Sequence, residues 1–368
     1  MTIQPTYQPT SVLSLLLLCC SVQAATFEEL AQQAAAARDA DHVPQAVDLY
    51  RQALEQKPDW SEGWWSLGTL AYDSDQYALG QDAFTHLVKL DDHAPLGWSF
   101  LGLCEFETGD YAPALDHIQR GLALGANRDP ATGQVLLFHQ ALLLTRAGLF
   151  DQAQRQFIPF ARKGSRDPAL MAGIGLAALL LPLTPKEIPP AQSGLIAKAG
   201  KAAYVWMAGD TASADEAFGD LLASYPSSPN VHYLHGAYLL ASRPKDAVAE
   251  FQRELELHPH CAAAGAMLAM IHVTDDDPSG ALPYAQQAAA DGPTTPAARY
   301  AYGLLLSQAG DLRAIEHLEA AQRLDPTRLE YHMALAGAYS RFGRHEEARH
   351  ERATSLAIAQ DRDAHAQK

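Results

Sequence analysis

The chain has 368 residues, 48% hydrophobic and 19% charged, with a formal net charge of −16. That composition excludes disorder over most of its length. The acidic balance disfavours binding to a nucleic-acid backbone or to an anionic membrane surface. Ala and Leu dominate the apolar set, a balance suited to helices that pack closely through small residues.

Residues 1–24 differ from the rest. A polar start is followed by an apolar run from Val12 to Val22 and then by small residues. The run is too short for the ~20 residues that span a bilayer. It resembles a secretory signal peptide cleaved after Ala24, although no Lys or Arg precedes it. The expected location is periplasmic or secreted. Two cysteines remain beyond it, Cys104 and Cys261, too far apart in a repeating chain for an expected disulfide. Stability must then come from helix packing.

From residue 27 onward the chain repeats itself. WWSLGTLAY (64–72) aligns with WSFLGLCEF (98–106), so that Trp64 meets Trp98, Leu67 meets Leu101 and Gly68 meets Gly102. The first unit, 27–60, carries Ala34, Ala46, Tyr50, Ala53 and Pro58. The second, 61–94, has Gly80 where Ala is usual, then Phe84. The third, 95–133, adds Gly109, Ala114 and Ile118, with an insertion at GANRDPATG. The fourth, 134–168, has Ala141, Gly148, Ala153, Phe157 and Pro168. ALMAGIGLAALLL (169–181) reads as an additional helix stopped by Pro182. The phase resumes at 195 with Ala202, Gly209, Ala214, Phe218 and Pro226. Four more units follow, marked by Gly236 with Phe251, Ala269 with Ala285, Gly303 with Leu318, and Ala336 with Ala348. The final helix is polar around much of its circumference, as suits a solvated cap. Residues 359–368 are expected to fray.

A 34-residue period carrying W-x2-L-G-x2-Y, Ala, an aromatic and Pro is a helix–turn–helix signature. On these residues the chain resembles the tetratricopeptide repeat family over nearly everything after residue 24. The resemblance implies an all-α, right-handed superhelical solenoid. It would hold about nine antiparallel helix pairs, with one extra helix near 169–182. The expected organisation is an N-terminal block at 25–168, the extra helix and Pro-rich loop at 169–194, and a C-terminal block at 195–358. The physical basis is local. A small residue inside the first helix lets the second approach, and a mid-unit Gly ends a helix in the left-handed conformation.

Members of that family usually hold ligands along the concave face made by the first helices. The matching stripe carries the partner-binding candidates Trp65, Tyr72, Phe106, Phe138, Trp206, Tyr233 and Tyr300. Two readings of the stripe compete. It is a groove for an apolar peptide or helix, or superhelical curvature buries it as core. A clamp for a chain-terminal carboxylate is disfavoured, because the matching positions hold Trp65, Thr69, Ser99 and Leu103.

No convergent reactive set emerges, so no catalytic, cofactor-binding or metal-binding residue is assigned. HEEARH (345–350) places its histidines five apart, about 140° around a helix, which fails the zinc-protease spacing. His232 and His235 share a face but lack a third ligand beside them in sequence. His258 and His260 flank Pro259, and Asp275 to Asp277 lack a calcium-loop pattern. The expected function is a non-enzymatic scaffold or assembly factor that binds a protein or peptide partner. Alternatives are a structural part of a cell-envelope complex contacted through its convex face or ends, an accessory module of an envelope polysaccharide or lipoprotein pathway, and self-association.

Overall fold

The computed structural model describes residues 25–366, and the signal-peptide reading of 1–24 lies outside the described residues. The described residues form nineteen α-helices without a β-strand. They fall into two compact units, one ending at Asp92 and one starting at His93.

The first unit holds α1 (Phe27–Asp39), α2 (Val43–Gln56), α3 (Ser61–Asp73) and α4 (Tyr77–Leu90). Thr26 and Glu29 form a reciprocal capping box that starts α1. The pairs α1–α2 and α3–α4 pack side by side around Tyr50, Leu54 and Leu67. Between the two helices of each pair, Asp41 and Asp75 take the left-handed conformation at φ 58°. Asp is one of the few residues besides Gly that visits it readily.

The second unit opens with α5 (Pro95–Thr108) and α6 (Tyr111–Ala123). A short 3-10 turn at Ala126–Arg128 accommodates the insertion and leads into α7 (Pro130–Arg146). Asp129 caps α7 through the Thr132 amide at 2.8 Å, so the helix starts four residues earlier than the repeat phase predicts. Next come α8 (Phe150–Arg162), α9 (Pro168–Ala178) and α10 (Ser193–Ala208). The helices α11 (Thr211–Ser224), α12 (Val231–Leu239), α13 (Pro244–Leu257) and α14 (Ala262–Thr274) follow. The last are α15 (Pro278–Asp291), α16 (Pro296–Gln308), α17 (Arg313–Leu324), α18 (Leu329–Arg341) and α19 (His345–Ala366). Across both units there are nine helix pairs and one additional helix, α9. The last helix runs to Ala366, with no Gly or Pro to interrupt it.

Each pair is keyed by a small residue against a large one. A side chain on Gly68 would collide with Phe84, one on Gly236 with Phe251, and one on Gly303 with Leu318. All three large partners are fully buried. The additional helix uses a tighter version of this device. A Cβ on Gly175 would overlap the Ile196 carbonyl oxygen, and one on Gly200 the Met171 carbonyl oxygen. α9 and α10 therefore touch backbone to backbone. The phase break near 169–194 is thus a packed crossing inside the second unit.

A second regularity concerns the fourth position of a repeat, the Trp64 position. Its side chain reaches the carbonyl of a Pro six residues earlier. Trp64 Nε1 donates to Pro58 at 2.8 Å and Arg299 Nε donates to Pro293 at 3.0 Å. His232 Nε2 lies 2.9 Å from the Pro226 oxygen and His332 Nε2 2.9 Å from the Pro326 oxygen. Each of these carbonyls lies two residues beyond the end of the preceding helix. In these four repeats a ring or guanidinium N–H therefore ties the repeat to the end of the one before it.

Candidate functional site

The site is built in the second unit by a contact across 170 residues of sequence. Gln152 Nε2 donates to the Leu324 carbonyl at 3.0 Å. Arg155 Nη2 donates to Asp325 Oδ2 at 2.7 Å and to Thr327 Oγ1 at 3.1 Å. Asp325 is only 1% exposed, and its other oxygen accepts from the Thr327 hydroxyl at 2.6 Å. The first turns of α8 are thereby fixed to the turn between α17 and α18.

Between those two fixed ends, the starts of α12, α14 and α16 enclose a cavity of about 620 Å³ with the start of α8. Tyr233, Met267, Leu149 and Pro296 supply apolar wall, and Asp151 and Asp325 supply carboxylates. Burial pushes the Tyr233 phenol well above its usual range, with the Asp151 charge adding to it. The start of α12 is held by a residue from the next helix. The fully buried Glu254 accepts from the Asn230 amide at 2.8 Å and the Tyr233 amide at 3.2 Å. Asn230 has φ 65°, and its side chain donates to the Leu179 carbonyl at 2.8 Å and accepts from Cys261 Sγ at 3.4 Å. Glu254 and Asn230 thus join the ends of α9, α12, α13 and α14 beside the cavity.

A second cleft, of about 320 Å³, lies along α8. Asp151, Gln154, Arg155, Ile158 and Arg162 of α8 face Trp206 and Met207 of α10 and Arg328 ahead of α18. A third space, also about 320 Å³, is lined by Val135, Phe138, Phe160 and Leu170.

Within the second unit, the stripe residues Phe138, Trp206 and Tyr233 line three different spaces. Trp65 and Tyr72 belong to the first unit, half-buried, with edge contacts to Phe84 at 5.8 Å and Tyr77 at 5.7 Å. Phe106 is 4% exposed, held between Tyr111 and His139 with the Lys186 ammonium 5.6 Å from its ring centroid. That packing makes Phe106 a core residue. Phe138 lines the third space, Trp206 the α8 cleft and Tyr233 the main cavity. Tyr300 is half-buried against Tyr331, ring centroids 4.9 Å apart.

The titratable groups singled out in sequence act structurally. His232 Nδ1 lies 2.5 Å from Glu250 and His235 Nδ1 3.1 Å from the same carboxylate. Burial works against the Glu250 charge. The two imidazoles beside it, His235 and the hydrogen-bonded His232, outweigh it and hold this carboxyl below its usual range. His258 Nε2 approaches the Ser227 carbonyl at 3.2 Å, and His260 pairs with Asp291 at 3.0 Å. Asp277 caps α15 through the Gly280 amide at 2.9 Å. Asp276, before it, takes the left-handed turn at φ 57°. Cys104 and Cys261 are both free thiols. Burial pushes the first up to about 12 and the second to about 11. No described helix is long and apolar enough to cross a membrane.

Sequence reasoning missed Gln152, Arg155 and Glu254. The first two contact a distant module, where repeat logic expects only neighbours. Glu254 was readable only as one of several polar residues in α13.

Helix pairs keyed by small residues, with carbonyl-tying side chains at a fixed slot, define a helical-repeat protein. The tetratricopeptide repeat family model matches residues 66–129 and 266–312, so the chain contains tetratricopeptide repeats in both of those stretches. No curated protein matches it. Similar solved structures include MamA from Desulfovibrio magneticus, at 21% identity and TM-score 0.37, covering 46% of this chain and 98% of that one. Yeast Tom70 is 13% identical with TM-score 0.35, covering 90% and 85% respectively. YrrB, described as a TPR protein with an unusual peptide-binding site, is 22% identical with TM-score 0.34, covering 45% and 88%.

Proposed function

We propose that this protein is a non-enzymatic scaffold or assembly factor that captures a polypeptide segment of a partner in the second unit. The observation that carries the reading is the cavity of about 620 Å³ at the starts of α12, α14 and α16, with Tyr233 on its wall. Its volume falls in the range of ordinary ligand pockets, and its lining is apolar with a few fixed polar groups. Tyr233 and, in the α8 cleft, Trp206 are anchors of the kind that dominate binding energy at interfaces. The apolar run at 12–22 supports export with cleavage after Ala24, which N-terminal sequencing of the protein from its own host tests.

The test of capture is site-specific photo-cross-linking in that host. A cross-linker replacing Tyr233 or Trp206 is expected to trap a partner polypeptide. One replacing Leu282, exposed on the second helix α15, is expected to trap none. The reverse pattern would favour contact through the outer helices and defeat the cavity reading.

A further inference from the structure

We infer that the cleft between α8, α10 and Arg328 is a subsite for an acidic side chain flanked by an apolar one, on an internal stretch of the partner polypeptide. The inference rests on the capture reading above and names the chemistry that the second unit selects.

The chain as a whole is strongly acidic, yet this cleft concentrates the opposite charge. Three guanidiniums, from Arg155, Arg162 and Arg328, line it against one carboxylate, Asp151. Arg155 is already taken by Asp325. Arg162 is exposed and has no carboxylate within ion-pair distance among the described residues. Arg328 has no carboxylate within ion-pair distance among them; its guanidinium lies 5.9 Å from the Tyr331 ring centroid, interacts with the Tyr331 phenol and feels the charges of Asp151 and Glu330. Its Nε is buried with no hydrogen-bond acceptor among the described residues. A buried donor left without an acceptor is costly, so a carboxylate that reached it would gain more than at an open surface. Arginine presents its donors in a planar fork that matches a carboxylate.

The remaining wall is apolar. Trp206 is half-buried with its edge toward Tyr238 at 6.0 Å, and Met207 and Ile158 lie alongside. The cleft therefore offers two guanidiniums without a carboxylate ion pair beside an indole and a thioether. An Asp or Glu next to an aromatic or aliphatic residue matches both halves. Arg162 comes from α8 and Arg328 from the turn before α18. The subsite thus depends on the same α8 placement that Arg155 and Gln152 secure.

The test is a selection of displayed random peptides, both ends covered, on the intact chain. Enriched sequences are then made as acetylated, amidated peptides, so that no terminal carboxylate contributes. Enrichment of Asp or Glu beside an apolar residue is expected. Such peptides should bind the Arg162→Gln/Arg328→Gln chain at least about tenfold more weakly, about 1.4 kcal/mol or more. They should bind an Arg253→Gln control unchanged, since Arg253 pairs with Glu256 on α13 away from the cleft. Affinity for the wild type should also fall as salt rises. Replacing the peptide's acid by Lys should abolish binding to the wild-type chain, a readout that needs no protein variant. Enriched peptides without acids, or acidic ones that bind the double variant or their Lys forms equally well, would overturn the inference and leave capture standing. Failure of the wild-type chain to enrich any peptide would overturn the capture reading itself.

Discussion

Arg155 and Asp325 meet at 2.7 Å although 170 residues separate them. Asp325 is buried, whereas the Arg155 side chain is 37% exposed. The pair therefore sits between the exposed case, worth about 0–1 kcal/mol, and the buried case, where removing one partner costs about 3–5 kcal/mol. Arg155→Ala is expected to cost about 1–3 kcal/mol and to release the turn at 324–328 from α8. Urea denaturation reads the first effect and amide exchange at Thr327 and Arg328 the second. Unchanged protection there would mean that the contact does not hold α8 in place.

The same contact marks the limit of what the sequence discloses. Pair keys such as Gly68 with Phe84 are legible because they recur at a fixed spacing within one unit. Left-handed turns at Gly109, Gly209 and Gly310 are legible for the same reason. The role of His232 was half-visible: its place in the Trp64 slot is periodic, but a bond to Pro226 requires knowing that the slot points back at a repeat end. Arg155, Gln152 and Asp325 have no periodic signature, since their meeting depends on how many small rotations accumulate between modules. The separation of the stripe residues among different spaces follows from that accumulation. The burial of Phe106 is local instead, because the Tyr111 and His139 rings that enclose it come from the adjoining helices α6 and α7.

Backbone contact between α9 and α10 makes a glycine-specific prediction. Gly200→Ala places a methyl against the Met171 carbonyl oxygen, which cannot rotate away. Overpacking of this kind costs about 1–3 kcal/mol. Gly337, exposed in the interior of α18, has nothing within 4 Å of where its Cβ would lie. Gly337→Ala should therefore stabilise the chain by about 0.5–1 kcal/mol through helix propensity. Opposite shifts in melting temperature are expected. Two shifts of the same sign would show that α9 and α10 separate freely.

Asp277 supplies the pH dependence. The Gly280 amide, the Ser279 hydroxyl and His272 hold its carboxyl below the usual range. A depressed folded-state value means that the stabilisation is complete above the unfolded value of about 3.9. It is lost as pH falls through the folded value. Asp277→Ala should lower the melting temperature at about pH 5, with a gap that closes as the pH drops toward 2. A gap that stayed constant over that interval would locate the contribution in something other than the charged cap.

Glu254 connects stability to the proposed site. Its two oxygens satisfy the Asn230 and Tyr233 amides at the start of α12, fully out of solvent. Glu254→Ala leaves both donors buried without an acceptor, and each such donor costs about 1–3 kcal/mol. Glu254→Gln keeps one oxygen and should lose roughly half as much. Because Tyr233 lines the cavity, amide exchange at residues 230 and 233 should quicken in the same order, Ala before Gln before wild type. Cross-linking from position 233 should weaken in step with it. If both variants lost stability equally while exchange at 230 and 233 stayed slow, Glu254 would be serving the core of α13 and not the wall of the cavity.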